Sequence, residues 1–131
     1  SVWEGVMAAS HYKLDNLCAV VDRNGLQISG TTEEVMHHDD LEARFASFGW
    51  NVVHAIGNSI ASLDAAFSQA RSASGRPTVI LAKTVKGCGV SFMENQASWH
   101  HRVPTEEEYE AAARELSERA AKLREGEAVD E

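Results

Sequence analysis

Apolar residues recur along the chain with two different periods, and each period predicts a different kind of element. Over residues 1–16 they recur every three or four positions, which predicts a helix. Three short apolar runs rich in β-branched residues predict strands of a parallel sheet, and the first of them is typical of a fully buried strand. These runs are residues 17–22, 51–56 and 77–84.

Three further helices are predicted between and after these strands. They cover residues 39–49, 59–75 and 105–124, and residues 23–38 between the first strand and the second helix are predicted to be loop and irregular structure. Asp39 or Asp40 is the expected N-cap of the second helix, and the last helix is amphipathic. Helices and strands that alternate at short spacing indicate an α/β fold, a parallel sheet with flanking helices.

Composition narrows the class of protein. The chain has 131 residues, 44% hydrophobic and 24% charged, which fits one globular domain. Its net charge is −8 and no basic stripe is visible, so we expect no nucleic-acid partner. Cys18 and Cys88 have no CxxC partner, which favours a reducing compartment. No apolar run approaches the roughly 20 residues needed to span a bilayer, so we expect a cytoplasmic protein with no membrane partner.

Unusual loops follow the first and third predicted strands. They read DRNGLQ (22–27) and KTVKGCGVS (83–91), and ligands of parallel α/β sheets bind beyond the carboxyl ends of the strands. Asn24 offers an amide oxygen beside backbone carbonyls, a set that suits Mg²⁺ or Ca²⁺ once an anion completes the shell. Lys86, next to Gly87, offers a charge and close backbone approach to an anion. A plain turn remains the alternative for both loops.

Other catalytic patterns are not found. The six histidines have no zinc spacing, and the adjacent His100 and His101 make a poor pair of ligands for one metal. The Lys86 loop is neither a Walker A nor a GxGxxG motif, and no nucleophile motif occurs. The residues alone therefore indicate an α/β domain with a metal–phosphate edge.

Several spaced motifs, in order along the chain, carry a family resemblance. They are YKLDNL (12–17), FGWNV (48–52) and KTVKGCGVSFMEN (83–95), followed by the tryptophan–histidine pair Trp99–His100. Together they resemble the transketolases, especially their separately encoded N-terminal subunits, which hold thiamine diphosphate. The resemblance implies that the Asn24 side chain and the Leu26 carbonyl bind Mg²⁺ (or Ca²⁺), and that Lys86, His100 and Asn24 lie at the cofactor's diphosphate.

Two departures from the family pattern affect these expectations. His101 stands where the family has glycine, and if that glycine needs a positive φ, a side chain there shifts the loop that carries His100. The family's GDG motif, whose aspartate completes the metal shell, precedes the first matching segment and is absent from this sequence. We therefore expect a fragment or truncated product: a partial diphosphate-binding domain over 1–131, with 105–124 a closing helix and 125–131 a flexible tail.

The resemblance also implies an activity and a partner. A transketolase transfers a two-carbon ketol unit between sugar phosphates, and the isolated chain is expected to be inactive. The partner is the C-terminal, pyrimidine-binding subunit or domain, in a homodimer or heterotetramer. Two alternatives stay open: another thiamine diphosphate enzyme, of the deoxyxylulose-phosphate synthase or 2-oxo acid dehydrogenase type, and a non-catalytic interaction module or remnant.

Overall fold

The computed structural model describes residues 1–38 and 40–125, and the chain divides into two compact units. One unit comprises Ser1–Arg23 and His37–Thr84, and the other comprises Asn24–Met36 and the chain from Val85 onward. In chain order the elements are α1 (Val2–His11), β1 (Cys18–Arg23), β2 (Leu26–Gln27), β3 (Gly30–Thr31), α2 (Thr32–Val35), α3 (Leu41–Ser47), β4 (Asn51–Ile56), α4 (Ile60–Ser72), β5 (Thr78–Lys83), a 3-10 helix (Ala97–His100) and α5 (Glu106–Arg124).

The first unit is built on a parallel sheet of order β1-β5-β4. Cys18 of β1 and Asn51 of β4 both lie opposite Thr78, so the three strands begin and end together. The central strand β5 is the most buried, and Val79 and Ile80 are fully inaccessible. The predicted α/β class, a parallel sheet flanked by helices, is confirmed.

Helices cover both faces of this sheet because side chains along a strand alternate between its faces. Val79 and Leu81 pack with residues of α1 and α3 in one cluster, while Ile80 and Ala82 pack with Ala66 of α4 in a second. The first cluster is tied by the buried indole of Trp50, whose Nε1 donates to the carbonyl of Val6 at 2.9 Å. The predicted helix-strand alternation therefore produces two apolar layers.

The first strand is less buried than its sequence predicts. β1 lies at the edge of the sheet formed by the described strands, and Val20 keeps 51% of its surface exposed. The prediction of a fully buried strand is wrong here because β1 has one neighbouring strand within the described residues. The second edge of β1 has no strand partner among the described residues, a feature that favours association with another chain.

The second unit contains structure where the sequence predicted a loop. β2 and β3 pair in an antiparallel hairpin with Leu26 opposite Thr31. The short helix α2 follows, and Thr31 caps it: Glu34 donates its backbone N–H to the Thr31 hydroxyl, and the Thr31 backbone N–H donates back to the Glu34 carboxylate. This Thr-x-x-Glu capping box is visible in the sequence and satisfies amides that a helix start leaves free.

Helix boundaries agree with the predictions to within a few residues, except that α1 ends at His11 and not at residue 16. Asp40 caps α3 by accepting the N–H of Ala43 at 2.9 Å, and the alternative cap Asp39 lies outside the described residues. α4 ends at Ser72, before the predicted stop at Gly75. α5 spans Glu106–Arg124, and residues 126–131 of the expected tail lie outside the described chain. The assignment of 1–131 as one partial domain stays a prediction.

No helix in the described part of the chain is long and apolar enough to cross a membrane.

Candidate functional site

The chain leaves β1 and β5 at the same edge of the sheet. Arg23 pairs with Lys83 at the ends of these parallel strands. Next to this pair, the hydroxyl of Thr84 donates a short hydrogen bond to the carboxylate of Asp22. The expectation that the two unusual loops open on one edge is therefore confirmed. Sequence reasoning missed the Asp22–Thr84 bond, although polar residues at the ends of two adjacent strands were a signal for it.

Asn24 and Leu26 share one tight turn. The Asn24 side-chain oxygen accepts the backbone N–H of Leu26 at 2.9 Å, which is an Asx turn. Gly25 between them has φ +74°, and its carbonyl accepts the N–H of Thr32 at 2.9 Å. Both residues that the family resemblance assigns to the metal are thus held in one turn by the backbone.

The oxygen donors of this turn fit only part of a metal shell. An amide oxygen and a main-chain carbonyl are neutral, hard ligands of the kind that Mg²⁺ and Ca²⁺ accept. Among residues 1–38 and 40–125, no cluster of three or more histidine, cysteine, aspartate or glutamate side chains is placed to hold a metal ion. A divalent ion at Asn24 therefore needs anionic ligands in addition, such as phosphate oxygens.

Lys86 lies in the segment Val85–Asn95, here called the lysine loop. The N–H of Asn95 donates to the carbonyl of Lys86 at 2.9 Å and closes the loop. Gly87 has φ +73°, and a Cβ atom there would lie 2.6 Å from the carbonyl oxygen of Met93, so the loop requires glycine. The Lys86 side chain is partly buried and forms no ion pair with any residue that the structure describes. Its positive charge is therefore not neutralised by an ion pair within the described part of the chain.

His100 ends the 3-10 helix, and its ring packs edge-on against that of His101 with the centroids 4.5 Å apart. Trp99 ties this helix to the lysine loop, because its Nε1 donates to the carbonyl of Phe92 at 3.1 Å. His101 has φ −122°, an ordinary conformation for a residue with a side chain. The backbone at 101 therefore does not require the glycine of the family pattern.

The four predicted site residues all belong to the second unit. The structure brings Asn24 and Leu26 together in one turn, and it holds Lys86 and the helix of His100 on one hydrogen-bonded segment. Cys18 lies at the opposite end of β1, and burial raises the pKa of its thiol, which disfavours the nucleophilic thiolate. The assigned roles of the four residues stay predictions.

Known proteins resemble this chain over most of its length. Residues 2–122 match the family model described as the transketolase, thiamine diphosphate binding domain. The chain is 48% identical over 123 residues to one subunit of the apulose-4-phosphate transketolase of Phocaeicola vulgatus, a match that covers 94% of this chain and 44% of that protein. It is 38% identical over 120 residues to the 6-deoxy-6-sulfo-D-fructose transketolase subunit SqwG of a Clostridium species, with 92% and 44% covered.

Solved structures show the same fold. The transketolase of Campylobacter jejuni superposes with a TM-score of 0.70 at 21% identity, over 94% of this chain and 23% of that one. At this identity the likeness concerns the fold alone. The chain spans less than half the length of the two relatives above. Because the family model matches nearly all of its residues, this chain belongs to the transketolase thiamine diphosphate-binding domain family.

Proposed function

We propose that this chain supplies the metal and diphosphate contacts of a transketolase that moves a two-carbon ketol unit between sugar phosphates. Thiamine diphosphate supplies the carbanion chemistry when bound, and the protein supplies binding and orientation. The observation that carries the proposal is the pairing of Arg23 with Lys83, because both candidate loops leave the sheet from these adjacent strand ends.

Each site residue has a distinct role in this proposal. The Asn24 side-chain oxygen and the Leu26 carbonyl would hold Mg²⁺ (or Ca²⁺), and the ion would supply positive charge for binding the diphosphate. Lys86 and His100 contact the diphosphate oxygens directly. The partial burial of Lys86 supports its role, because an ammonium that has lost some of its water gains more from an anionic ligand than an exposed one does.

The names of the relatives point to a partner subunit and to a class of substrate. The relatives from Phocaeicola vulgatus and the Clostridium species are each named as one subunit of a transketolase, which implies a second subunit. We propose that this second subunit is the C-terminal, pyrimidine-binding one, in a homodimer or a heterotetramer of the complete enzyme. The substrates in those names are a sugar phosphate and a sulfonated sugar. The donor proposed here is therefore a ketose that carries an anionic group.

The relatives favour a transketolase over the two alternatives. The two sequence relatives and the solved structure described above are all transketolases or transketolase subunits. Assays of the assembled enzyme with apulose 4-phosphate, 6-deoxy-6-sulfo-D-fructose and a 2-oxo acid donor distinguish a transketolase from the other thiamine diphosphate enzymes. Turnover of the 2-oxo acid alone would contradict the proposal.

The residue roles are tested by cofactor affinity in the complete enzyme assembly. We expect Lys86→Ala to raise the thiamine diphosphate Kd about tenfold or more, since bonds to charged groups contribute about 1.5–3 kcal/mol. Asn24→Ala should raise the Mg²⁺ concentration needed for half-saturation. Lys122→Ala, which removes an exposed lysine of α5, is the matched control and should change neither value. Unchanged binding in both site variants would exclude these roles.

A further inference from the structure

One carboxylate of α5 holds the lysine loop by two hydrogen bonds. Glu115 accepts the backbone N–H of Ser91 at 2.6 Å through Oε2, and the Ser91 hydroxyl at 2.8 Å through Oε1. These bonds hold the pKa of the Glu115 carboxyl below its usual range, the backbone N–H being the larger cause. The carboxylate is therefore charged at neutral pH, and charge-assisted bonds are the stronger kind.

The loop also packs against α5 next to these bonds. A Cβ atom on Gly89 would lie 3.2 Å from Cδ2 of Leu116, so the loop backbone comes close to the helix there. The N–H of Gly89 donates to the Glu94 carboxylate at 2.8 Å, within the loop. Ser91 and Gly89 thus fix the middle of the lysine loop on adjacent residues of one helix.

A short chain of backbone bonds connects this anchor to Lys86. Val90, next to Ser91, is buried and donates its N–H to the carbonyl of Gly87 at 3.2 Å. The carbonyl of Lys86 itself accepts from Asn95 at 2.9 Å. A shift of Ser91 would therefore move the backbone of Gly87 and of the adjacent Lys86.

We propose that Glu115 is a positioning residue for the diphosphate contact made by Lys86. This inference rests on the proposed function, which assigns the diphosphate to Lys86. A lysine ammonium sits on a flexible four-carbon stem, so a fixed backbone limits the positions that the ammonium can take and reduces the entropy lost when it contacts the ligand. Displacements near 1 Å at a binding group have large effects on binding and catalysis. Glu115 supplies that fixed backbone without touching the ligand.

The test is a double-mutant cycle on thiamine diphosphate binding in the complete enzyme assembly. We expect Glu115→Ala to raise the Kd about fivefold to tenfold, and to have little further effect once Lys86→Ala is present, because both act through one contact. Glu115→Gln keeps one oxygen acceptor and should recover part of the affinity. Glu118→Ala, an exposed glutamate of the same helix, is the matched control and should leave the Kd unchanged.

A second readout does not depend on the cofactor. Glu115→Ala should speed amide hydrogen exchange at Ser91 and in the lysine loop, and leave exchange in the buried strand β5 unchanged. If Glu115→Ala does not fold, Ser91→Ala decides the question, since it removes only the hydroxyl bond and should give a smaller rise in Kd.

The outcomes separate this inference from the function on which it rests. A large effect of Lys86→Ala with none of Glu115→Ala or Ser91→Ala would overturn the positioning role and leave the proposed function standing. Additive losses in the double mutant would also overturn it, since they mean that Glu115 acts independently of Lys86. An unchanged Kd in Lys86→Ala would remove the diphosphate contact itself, and the positioning role with it.

Discussion

Arg23 of β1 lies directly beside Lys83 of β5 in a parallel register, so the chain leaves both strands at one edge of the sheet. Asn24 is the next residue after one strand, and Lys86 follows three residues after the other. Parallel pairing makes this arrangement a property of the fold, because adjacent parallel strands always end on the same side. Both loops that carry the proposed site begin at this edge.

The first prediction compares two glycines with nearly the same positive φ. Gly87 and Gly25 have φ +73° and +74°, but a Cβ on Gly87 would meet Met93 whereas one on Gly25 would meet nothing within 4 Å. Gly25→Ala should therefore cost only the conformational penalty, about 1–2 kcal/mol. Gly87→Ala should lower the free energy of unfolding, measured in urea, by clearly more than Gly25→Ala does. Equal losses would mean that the contact with Met93 does not restrict residue 87.

A second prediction concerns the adjacent histidines His100 and His101, the first of which belongs to the proposed cofactor site. Since His101 has φ −122°, neither its side chain nor a glycine is needed for the backbone. His101→Ala should change the free energy of unfolding by no more than about 0.5 kcal/mol, and it should leave the thiamine diphosphate Kd unchanged. His100→Ala should raise that Kd in the assembled enzyme. The reverse pattern would transfer the proposed diphosphate contact from His100 to His101.

The start of α5 should respond to acid through its capping box. Thr105 and Glu108 bond reciprocally, and the backbone N–H of Thr105, together with Arg102, lowers the pKa of Glu108. The ordinary glutamate pKa is about 4.3. The stabilisation of α5 by this capping box is therefore complete above the ordinary pKa, and it is lost as the pH falls through the lowered pKa of Glu108.

Two substitutions test this acid response. Thr105→Ala should reduce the stability of α5 at pH 7, where loss of such a cap costs about 1 kcal/mol. Glu108→Gln should flatten the acid-induced loss of helix measured by circular dichroism, and the exposed neighbour Glu107→Gln should not. An acid response of Glu108→Gln identical to that of the parent chain would assign the loss to other carboxylates.

Self-association is expected at the apolar edge strand. Val20 of β1 is half exposed, and one edge of β1 has no partner among the strands that the structure describes; an apolar edge of this kind favours pairing with another chain. Val20→Lys should lower the apparent mass of the chain in light scattering at high concentration. Val103→Lys changes an even more exposed valine outside the sheet and is the control. A parent chain that is monomeric throughout would contradict the expectation.

Local sequence patterns were enough to predict the fold class and the order of the main elements. The strands β4 and β5 follow from short apolar runs, and α5 follows from a helical period that begins after Thr105. Such periodicity predicts the type of an element because the buried face must be apolar. The resemblance that identified the family rests equally on local motifs. The hairpin Leu26–Thr31 was missed because its two-residue strands are too short to show a period.

Folding in three dimensions set which elements are neighbours and which side chains meet. Nothing in the run of β1 shows that it is an edge strand of the described sheet, since a strand's exposure depends on neighbours distant in sequence. Glu115 is an ordinary helix residue in the sequence, and only folding brings it to Ser91, 24 positions earlier. Local patterns record each residue's own preferences, whereas contacts of this kind arise from packing the whole chain.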